Sequence, residues 1–437
     1  MITYFSKPTN RGFTIFLMVV ATHFISLLGS SVARFGLGVW AYQSTGQVSS
    51  FAVVLVAGFL PAIVLSPFIG IWIDRKGPRL LILLGDIIGL IISSIIFSSL
   101  LLGNISMVHV IAGAISLSIV SSMQTPALQT LAPNLVPKEK LSRANGVFSM
   151  ASSTSDVLGP VIGGVIMGFG SIIYIIGAEL VTYCIAIPIL LILWTKLSVK
   201  ENSDNEDSNE NNSILGDLKD GFNYLIKHKS LLTLVLLFTV LNFALGFNQV
   251  VGQPYILSFG TVEQFGLLSS IYGGGMVLGG ILMSFIKLKK HIIWLVLISN
   301  FGIGVFITLT GLFNNMLLIA VFWGGLGLLL PVVNTGTLTL IQLHTEPNLL
   351  GRVFSIARTF AWISLPVAYI LGGILADKLV ASNVNIIPYL GSGERGVYGT
   401  LLLLAGGLII LTVAIFAQLK YIKDFDRREE NDVQHNV

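Results

Sequence analysis

Residues Glu201 to Ser213 read ENSDNEDSNENNS, thirteen positions without a single apolar side chain. An acidic, Asn-rich segment of this kind has nothing to bury and reads as a linker. What it separates decides the fold. Six apolar runs precede it, at about 13–40, 49–72, 79–102, 106–128, 143–168 and 172–195. Six follow it, at about 231–258, 265–286, 291–312, 316–340, 351–376 and 397–420. A helix crosses the hydrocarbon core of a bilayer with about 20 mainly apolar residues, and each run meets that length. The chain therefore reads as an all-α membrane protein of twelve transmembrane helices in two six-helix bundles. Residues 1–196 form the first bundle, 197–230 a cytoplasmic linker, 231–422 the second bundle and 423–437 a cytoplasmic tail.

Composition excludes most other classes. Charged residues make up 11% of the chain and hydrophobic residues 54%, with a mean hydropathy of +0.86. Soluble domains carry roughly 25% charged residues, so this chain lacks the polar surface to live in water, and its expected surroundings are a lipid bilayer. A net charge of +4 does not point to nucleic acid, because the basic residues are scattered over short loops rather than gathered on one face. Cys184 is the single cysteine; it permits no intrachain disulfide and reads as a small buried hydrophobe. The six His residues form no His-x-x-x-His pair, so no metal is expected. No Gly-Lys-Ser/Thr loop occurs, which argues against ATP. No cofactor is expected, and the chain is read as a monomer. The first apolar run is too long for the core of a signal peptide.

Lys and Arg are enriched in short cytoplasmic loops. Counting along the chain, 21 of the 25 basic residues fall before span 1, in the loops after even-numbered spans, between the halves or after span 12, and only Lys378 and Arg395 fall in loops after odd-numbered spans. Both termini are thus predicted to be cytoplasmic. After the linker, Ile214, Leu218, Phe222, Leu225 and Ile226 recur at helical spacing opposite Asp217, Lys219, Asp220 and Lys227, which predicts an amphipathic helix on the cytoplasmic membrane face.

The halves repeat. Val147-Phe148-Ser149 and Pro160 in span 5 match Val353-Phe354-Ser355 and Pro366 in span 11 at one offset, and each set is followed by a Gly-Gly pair, Gly163-Gly164 and Gly372-Gly373. A duplicated transporter half predicts this.

The loop after span 2 runs Gly70-Ile71-Trp72-Ile73-Asp74-Arg75-Lys76-Gly77-Pro78-Arg79. It resembles the signature of the major facilitator superfamily between helices 2 and 3. Span 5 carries Gly159-Pro160-Val161-Ile162-Gly163-Gly164, which is similar to the motif of the drug:proton antiporter branch, a feature associated with export. Ser26 to Ser30, Trp40 to Gly46, Pro61 with Ser66-Pro67, Asp86 and Arg143 to Gly146 look most like the macrolide-efflux and siderophore-exporter group. The resemblance implies two bundles rocking about a midplane cavity and a cytoplasmic latch built on Gly70, Asp74, Arg75, Gly77 and Arg79. Asp86, Arg143 and Arg358, near the same side, are expected to join that gate. The corresponding loop of the second half, Lys287 to His291, carries no acid.

Ionisable groups at membrane depth are costly and mark functional sites. A proton-coupled carrier needs an acid that takes up and releases a proton near neutral pH. Asp156 and Glu179 are the candidates, with Arg34 as counter-charge; structural hydrogen bonding or a structural ion pair is the competing reading. The candidate substrate cavity is lined by His23, Asn242, Phe243, Phe247, Gln249, Asn300 and Asn334, since greasy ligands suit an aromatic cavity with few polar groups. The function expected is proton-coupled efflux of amphiphilic small molecules. A nutrient importer of the same fold, and a non-transport scaffold or intramembrane enzyme, are the alternatives; few hydrogen-bonding groups and no metal spacing or nucleophile favour either. The charge pattern makes a prediction of its own: a fluorescent protein fused to either terminus folds and fluoresces, whereas a periplasmic phosphatase fused to either stays inactive. An active phosphatase at one end removes the even helix count.

Overall fold

A computed structural model describes residues 10–169, 171–195, 222–286, 291–345, 350–382, 387, 390 and 393–420. The acidic linker, the tail beyond Lys420 and residues 214–221 of the expected amphipathic helix lie outside them. Among the described residues, twelve helices are long and apolar enough to cross a membrane. In chain order they are α1 (Asn10–Thr45), α2 (Val48–Lys76), α3 (Pro78–Leu101), α4 (Met107–Leu135), α5 (Leu141–Gly168) and α6 (Ile172–Thr195). The second six are α7 (Lys229–Leu257), α8 (Val262–Phe285), α9 (Ile292–Leu312), α10 (Met316–Leu343), α11 (Leu350–Ala381) and α12 (Glu394–Gln418). Helix is the dictated answer for a strand of apolar residues in lipid, because it pairs every backbone N–H and C=O within the segment.

The chain breaks where it has local reason to. Gly77 takes φ of 78°, a left-handed conformation that a side chain would strain, and Pro78 opens α3, where its missing N–H costs nothing. Gly46 does the same between α1 and α2, with φ of 65°.

The chain divides into two compact units, one of residues 1–46, 53–208 and 262–270 and one of residues 47–52, 209–261 and 271–437. The helix-pairing pattern repeats between them. In the first half α1 packs on α5 and α6, and α3 packs on α4 and α6. In the second half α7 packs on α11 and α12, and α9 packs on α10 and α12. Adding six to each number in the first set gives the second, which is the duplication that the Val-Phe-Ser and Gly-Gly repeats predict.

With lipid as apolar as leucine, helices associate through close backbone approach at small residues. The α9–α12 contact shows how. A Cβ on Gly311 would sit 2.5 Å from the carbonyl oxygen of Gly399, and one on Gly399 would sit 2.7 Å from that of Gly311. One heptad along, Gly304 meets Gly406 in the same way, with 3.0 and 2.5 Å for the two would-be contacts. The two helices touch backbone to backbone at both crossings.

Residues 222–227 are helical. Leu225 is buried in the core of the second unit, while Phe222 and Ile226 are exposed, and Phe222 stacks on Phe360 of α11 with ring centroids 6.3 Å apart. Cys184 corrects the sequence reading: it is exposed, on a face of α6 shared with Val181 and Ile185. A spanning helix needs no internal burial to keep an apolar side chain out of water, so an apolar context did not imply an interior site.

Gly311→Val should therefore lower unfolding stability by about 1–3 kcal/mol through overpacking. Gly407→Val, at a position with nothing within 4 Å of a new Cβ, should leave it unchanged; thermal unfolding in detergent separates the two.

Candidate functional site

The interior of the first unit is polar along one line. On α1, Thr22, His23, Ser26, Ser30 and Ser31 are all buried, and positions 23, 26 and 30 share a helix face by their spacing of three and four. Two carboxylates stand against this file. Asp86 of α3 is 1% exposed and its Oδ1 accepts from Ser26 Oγ at 2.8 Å and from Gln124 Nε2 of α4 at 2.7 Å. Glu179 of α6 is 3% exposed, with Oε2 accepting from Ser93 Oγ of α3 at 2.9 Å and Oε1 from the Tyr183 hydroxyl at 3.3 Å. Tyr183 Oη in turn lies 3.2 Å from Ser30 Oγ.

Local sequence makes room for this. Gly89 stands where a Cβ would strike the Tyr183 ring, and Gly85 lets Gln124 lie across α3. Asp86 and Ser93 are seven residues apart on α3, so the two carboxylate sites are stacked roughly 10 Å apart along it at 1.5 Å per residue. A buried polar group without a partner costs about 1–3 kcal/mol; here each carboxylate meets two donors from neighbouring helices or its own.

Asp156 of α5 and Arg34 of α1 are exposed, in contrast to Glu179. Arg34 interacts electrostatically with both Asp156 and Glu179. The three residues singled out from the sequence thus share one region of the first unit, with Arg34 one turn beyond Ser30 on α1.

Span 5's motif has a steric content. Gly159 and Gly163 lie against Ser31 and Phe35 of α1, while Gly164 faces Val262 and Gly266 at the start of α8, a segment belonging to the first unit. Pro160 withholds an N–H from the helix, and nearby Ser270 Oγ donates to the carbonyl of Val157 at 2.6 Å. The second unit repeats the arrangement. Gly372 of α11 lies against Val250 and Phe247 of α7, and Gly373 against Ser49 and Ala52 at the start of α2, a segment belonging to that unit. In each pair the first glycine faces the half's first helix and the second faces the borrowed segment.

One further contact near Gly373 is marked by no motif along the chain. Asp377 of α11 accepts from the backbone N–H of Val48 at 2.7 Å and of Ser49 at 2.9 Å. A carboxylate there satisfies two of the four unpaired donors of α2 and complements its dipole.

The other expected groups are distributed. Of the expected latch, Gly70 and Arg75 are exposed and Gly77 and Arg79 half-buried, while the side chains of Asp74 and Arg358 lie outside the described residues. Arg143 lies over the Phe13 ring at 5.8 Å, while Asp86 bonds Ser26 and Gln124. His23 is buried and stacked on Phe148 with centroids 6.3 Å apart, and its ring nitrogens have no hydrogen-bond partner among the described residues. Asn242 and Asn300 donate to the carbonyls of Phe238 and Val296 on their own helices, each at 2.8 Å. Gln249 accepts from the Tyr369 hydroxyl at 2.7 Å, and Phe243 tilts against Phe247 at 6.4 Å. Asn334 lines a cavity of about 240 Å³ between α7, α10 and α11 of the second unit. Sequence reasoning did not find Ser26, Ser93, Gln124 and Tyr183, because nothing along the chain distinguishes a hydroxyl aimed at a carboxylate from one bonded to its own helix.

Twelve membrane-length helices among the described residues, in a duplicated six-helix pattern with two buried carboxylates inside one half, are the architecture of a polytopic membrane transporter. The chain belongs to the Major Facilitator Superfamily, whose family model matches residues 19–253, more than half of it; such proteins are transporters and not enzymes. Among curated relatives, Macrolide efflux protein A of Streptococcus pyogenes is 24% identical over 371 residues, covering 83% of this chain and 90% of that protein. Macrolide efflux protein A of Enterococcus faecalis is 25% identical over 317 residues, covering 71% and 96%. Among solved structures, a bacterial homolog of the human lysosomal transporter Spinster superposes with a TM-score of 0.67 at 12% identity, covering 96% of this chain and 99% of that one. A bacterial homologue of the iron transporter ferroportin gives 0.65 at 15% identity, covering 94% and 98%. Those likenesses establish the fold.

Ser93→Ala removes a hydroxyl donor from Glu179 and should cost about 1–3 kcal/mol. Asp377→Ala removes the cap of α2 and should cost about 0.5–2 kcal/mol, with Asp377→Asn milder. Shifts in unfolding midpoint measure both.

Proposed function

We propose that this protein exports amphiphilic small molecules, macrolide-like compounds among them, in exchange for protons, by alternating access across a bacterial plasma membrane. The observation that carries the reading is the likeness to macrolide efflux proteins over 83% of the chain. The Gly-Pro-x-x-Gly-Gly motif of α5, seated against α1 and the start of α8, supports it. The charge pattern supports cytoplasmic termini, and a monomer working from the proton gradient, without ATP or a bound cofactor, is the form proposed.

For coupling, the three charged groups of the first unit are assigned linked roles. Asp156, the exposed acid, takes up the proton. Neutralised, it releases Arg34 from its field, and Arg34 then acts on Glu179, whose position among Ser93, Tyr183 and Ser30 ties α6 to α3 and α1. A change of charge at one exposed site is thereby felt at the helix contacts that hold the first unit together. Loss of the proton to the cytoplasm returns Arg34 to Asp156.

Everted membrane vesicles test this with erythromycin as the probe. Uptake into them should require an imposed proton gradient, stop when a protonophore collapses it, and fall at least tenfold in Asp156→Asn and in Glu179→Gln. Uptake that persists with the gradient collapsed contradicts proton coupling; erythromycin moving in the reverse direction contradicts export.

A further inference from the structure

The coupling scheme moves charge among Asp156, Arg34 and Glu179, and it leaves the other buried acid of the first unit without a task. Asp86 is as deeply buried as Glu179 and belongs to the same unit. Two neutral donors, Ser26 and Gln124, hold it. An ionisable group at such depth is a functional-site candidate.

Tyr183 of α6 joins the two acids. On α3, Asp86, Gly89 and Ser93 follow one another at spacings of three and four and so share a face. Ser93 holds Glu179 at one end of that row, and Asp86 takes the hydroxyl of Ser26 at the other. Between them lies the Tyr183 phenol, so close to Gly89 that a Cβ there would strike its ring and its oxygen. That hydroxyl donates to Glu179 Oε1 at 3.3 Å, lies 3.2 Å from Ser30 Oγ, and interacts electrostatically with both Glu179 and Asp86. Ser30 and Ser26, about one turn apart on α1, continue the row of hydroxyls to Asp86.

A hydroxyl both donates and accepts, so it can take one proton and release another without changing charge. Direction follows from position on the helix. Asp86 is the ninth residue of α3, counted from the end that follows the basic loop assigned to the cytoplasm. Ser93, which marks the level of Glu179, lies roughly 10 Å further along at 1.5 Å per residue. A proton passing from Glu179 to Asp86 therefore moves toward the cytoplasmic side.

We propose that Tyr183 relays a proton from Glu179 to Asp86, which holds it as the inner proton site. The relay presupposes the proton-coupled export proposed above. When Arg34 turns to Glu179, the O–H bond of the Glu179 acid breaks and its proton passes to Tyr183 Oη. The phenol releases its own proton to Ser30, each serine takes one proton and passes one on, and a new O–H bond forms on Asp86. Glu179 ends as a carboxylate and Asp86 as an acid, with Tyr183, Ser30 and Ser26 neutral as before. The charged and titratable groups facing this row are Arg34 and His23 of α1, with Asp156 of α5 acting through Arg34; α4 contributes the neutral Gln124.

Full-length protein reconstituted in lipid vesicles separates two movements of erythromycin. Uptake driven by an acid vesicle interior needs the proton to complete its passage. Exchange of labelled for unlabelled erythromycin at equal concentrations, with no gradient, does not. Tyr183→Phe, which keeps the ring and removes the hydroxyl, should lower driven uptake at least about tenfold and leave exchange within about twofold of the unaltered protein. Asp86→Asn, which keeps an oxygen for Ser26, should do the same. Driven uptake at the unaltered rate in either variant overturns the relay. So does a parallel loss of exchange and driven uptake in Tyr183→Phe, which would give the hydroxyl a structural part alone. Uptake by the unaltered protein that is indifferent to the gradient is a different failure: it removes the coupling reading itself, and the relay with it.

Discussion

A polar group facing hydrocarbon has no water to bond to, and leaving it unsatisfied costs several kcal/mol. That single penalty organises the molecule. It forces every membrane-crossing segment into a helix, sends the lysines and arginines to the loops, and requires the carboxylates that stay inside to find donors on neighbouring helices. Asp86 binds α1 and α4 to α3 by this route, and Glu179 binds α3 to α6. Hydrogen bonds that satisfy a charge here also choose which helices are neighbours.

The two halves share a packing scheme and differ in chemistry. Pairings α1–α5, α1–α6, α3–α4 and α3–α6 recur six helices later, and the Gly-Gly pairs of α5 and α11 divide their contacts alike. The polar content has diverged within that frame. Asp86 is the ninth residue of α3, and the ninth residue of α9 is Asn300, buried to the same 1% but returning its amide to Val296 of its own helix. Glu179 is the eighth residue of α6; the eighth of α12 is Leu401. The first half therefore holds the buried acids, while the second keeps an amide and a leucine at the matching positions.

Much of the fold is written along the chain because lipid imposes a length and a composition. The starts of α6 and α10, at 172 and 316, fall where the apolar runs place them, and most other ends shift by only a few residues. α11 extends to Ala381 because Asp377 and Lys378 occupy its last turns, polar residues that a hydropathy ruler discards. The repeat was legible through Pro160 and Pro366, whose rigid chemistry tolerates little drift. Contacts across helices were less legible. Asp156, Glu179 and Arg34 announce themselves as charges in apolar runs, but their helpers are ordinary serines, a tyrosine and a glutamine. Asp377 bonds residues more than 300 positions away.

The central claim is that the linked acids Asp156 and Glu179 of the first unit change protonation when substrate binds. Infrared difference spectroscopy on the purified protein in lipid, recorded on adding erythromycin, observes the carboxyl C=O stretch of protonated side chains directly. The account predicts a substrate-induced band in that region that disappears in Glu179→Gln or in Asp156→Asn and survives in Asp377→Asn. A difference spectrum without such a band while erythromycin binds, or one unaltered in both Glu179→Gln and Asp156→Asn, would contradict it.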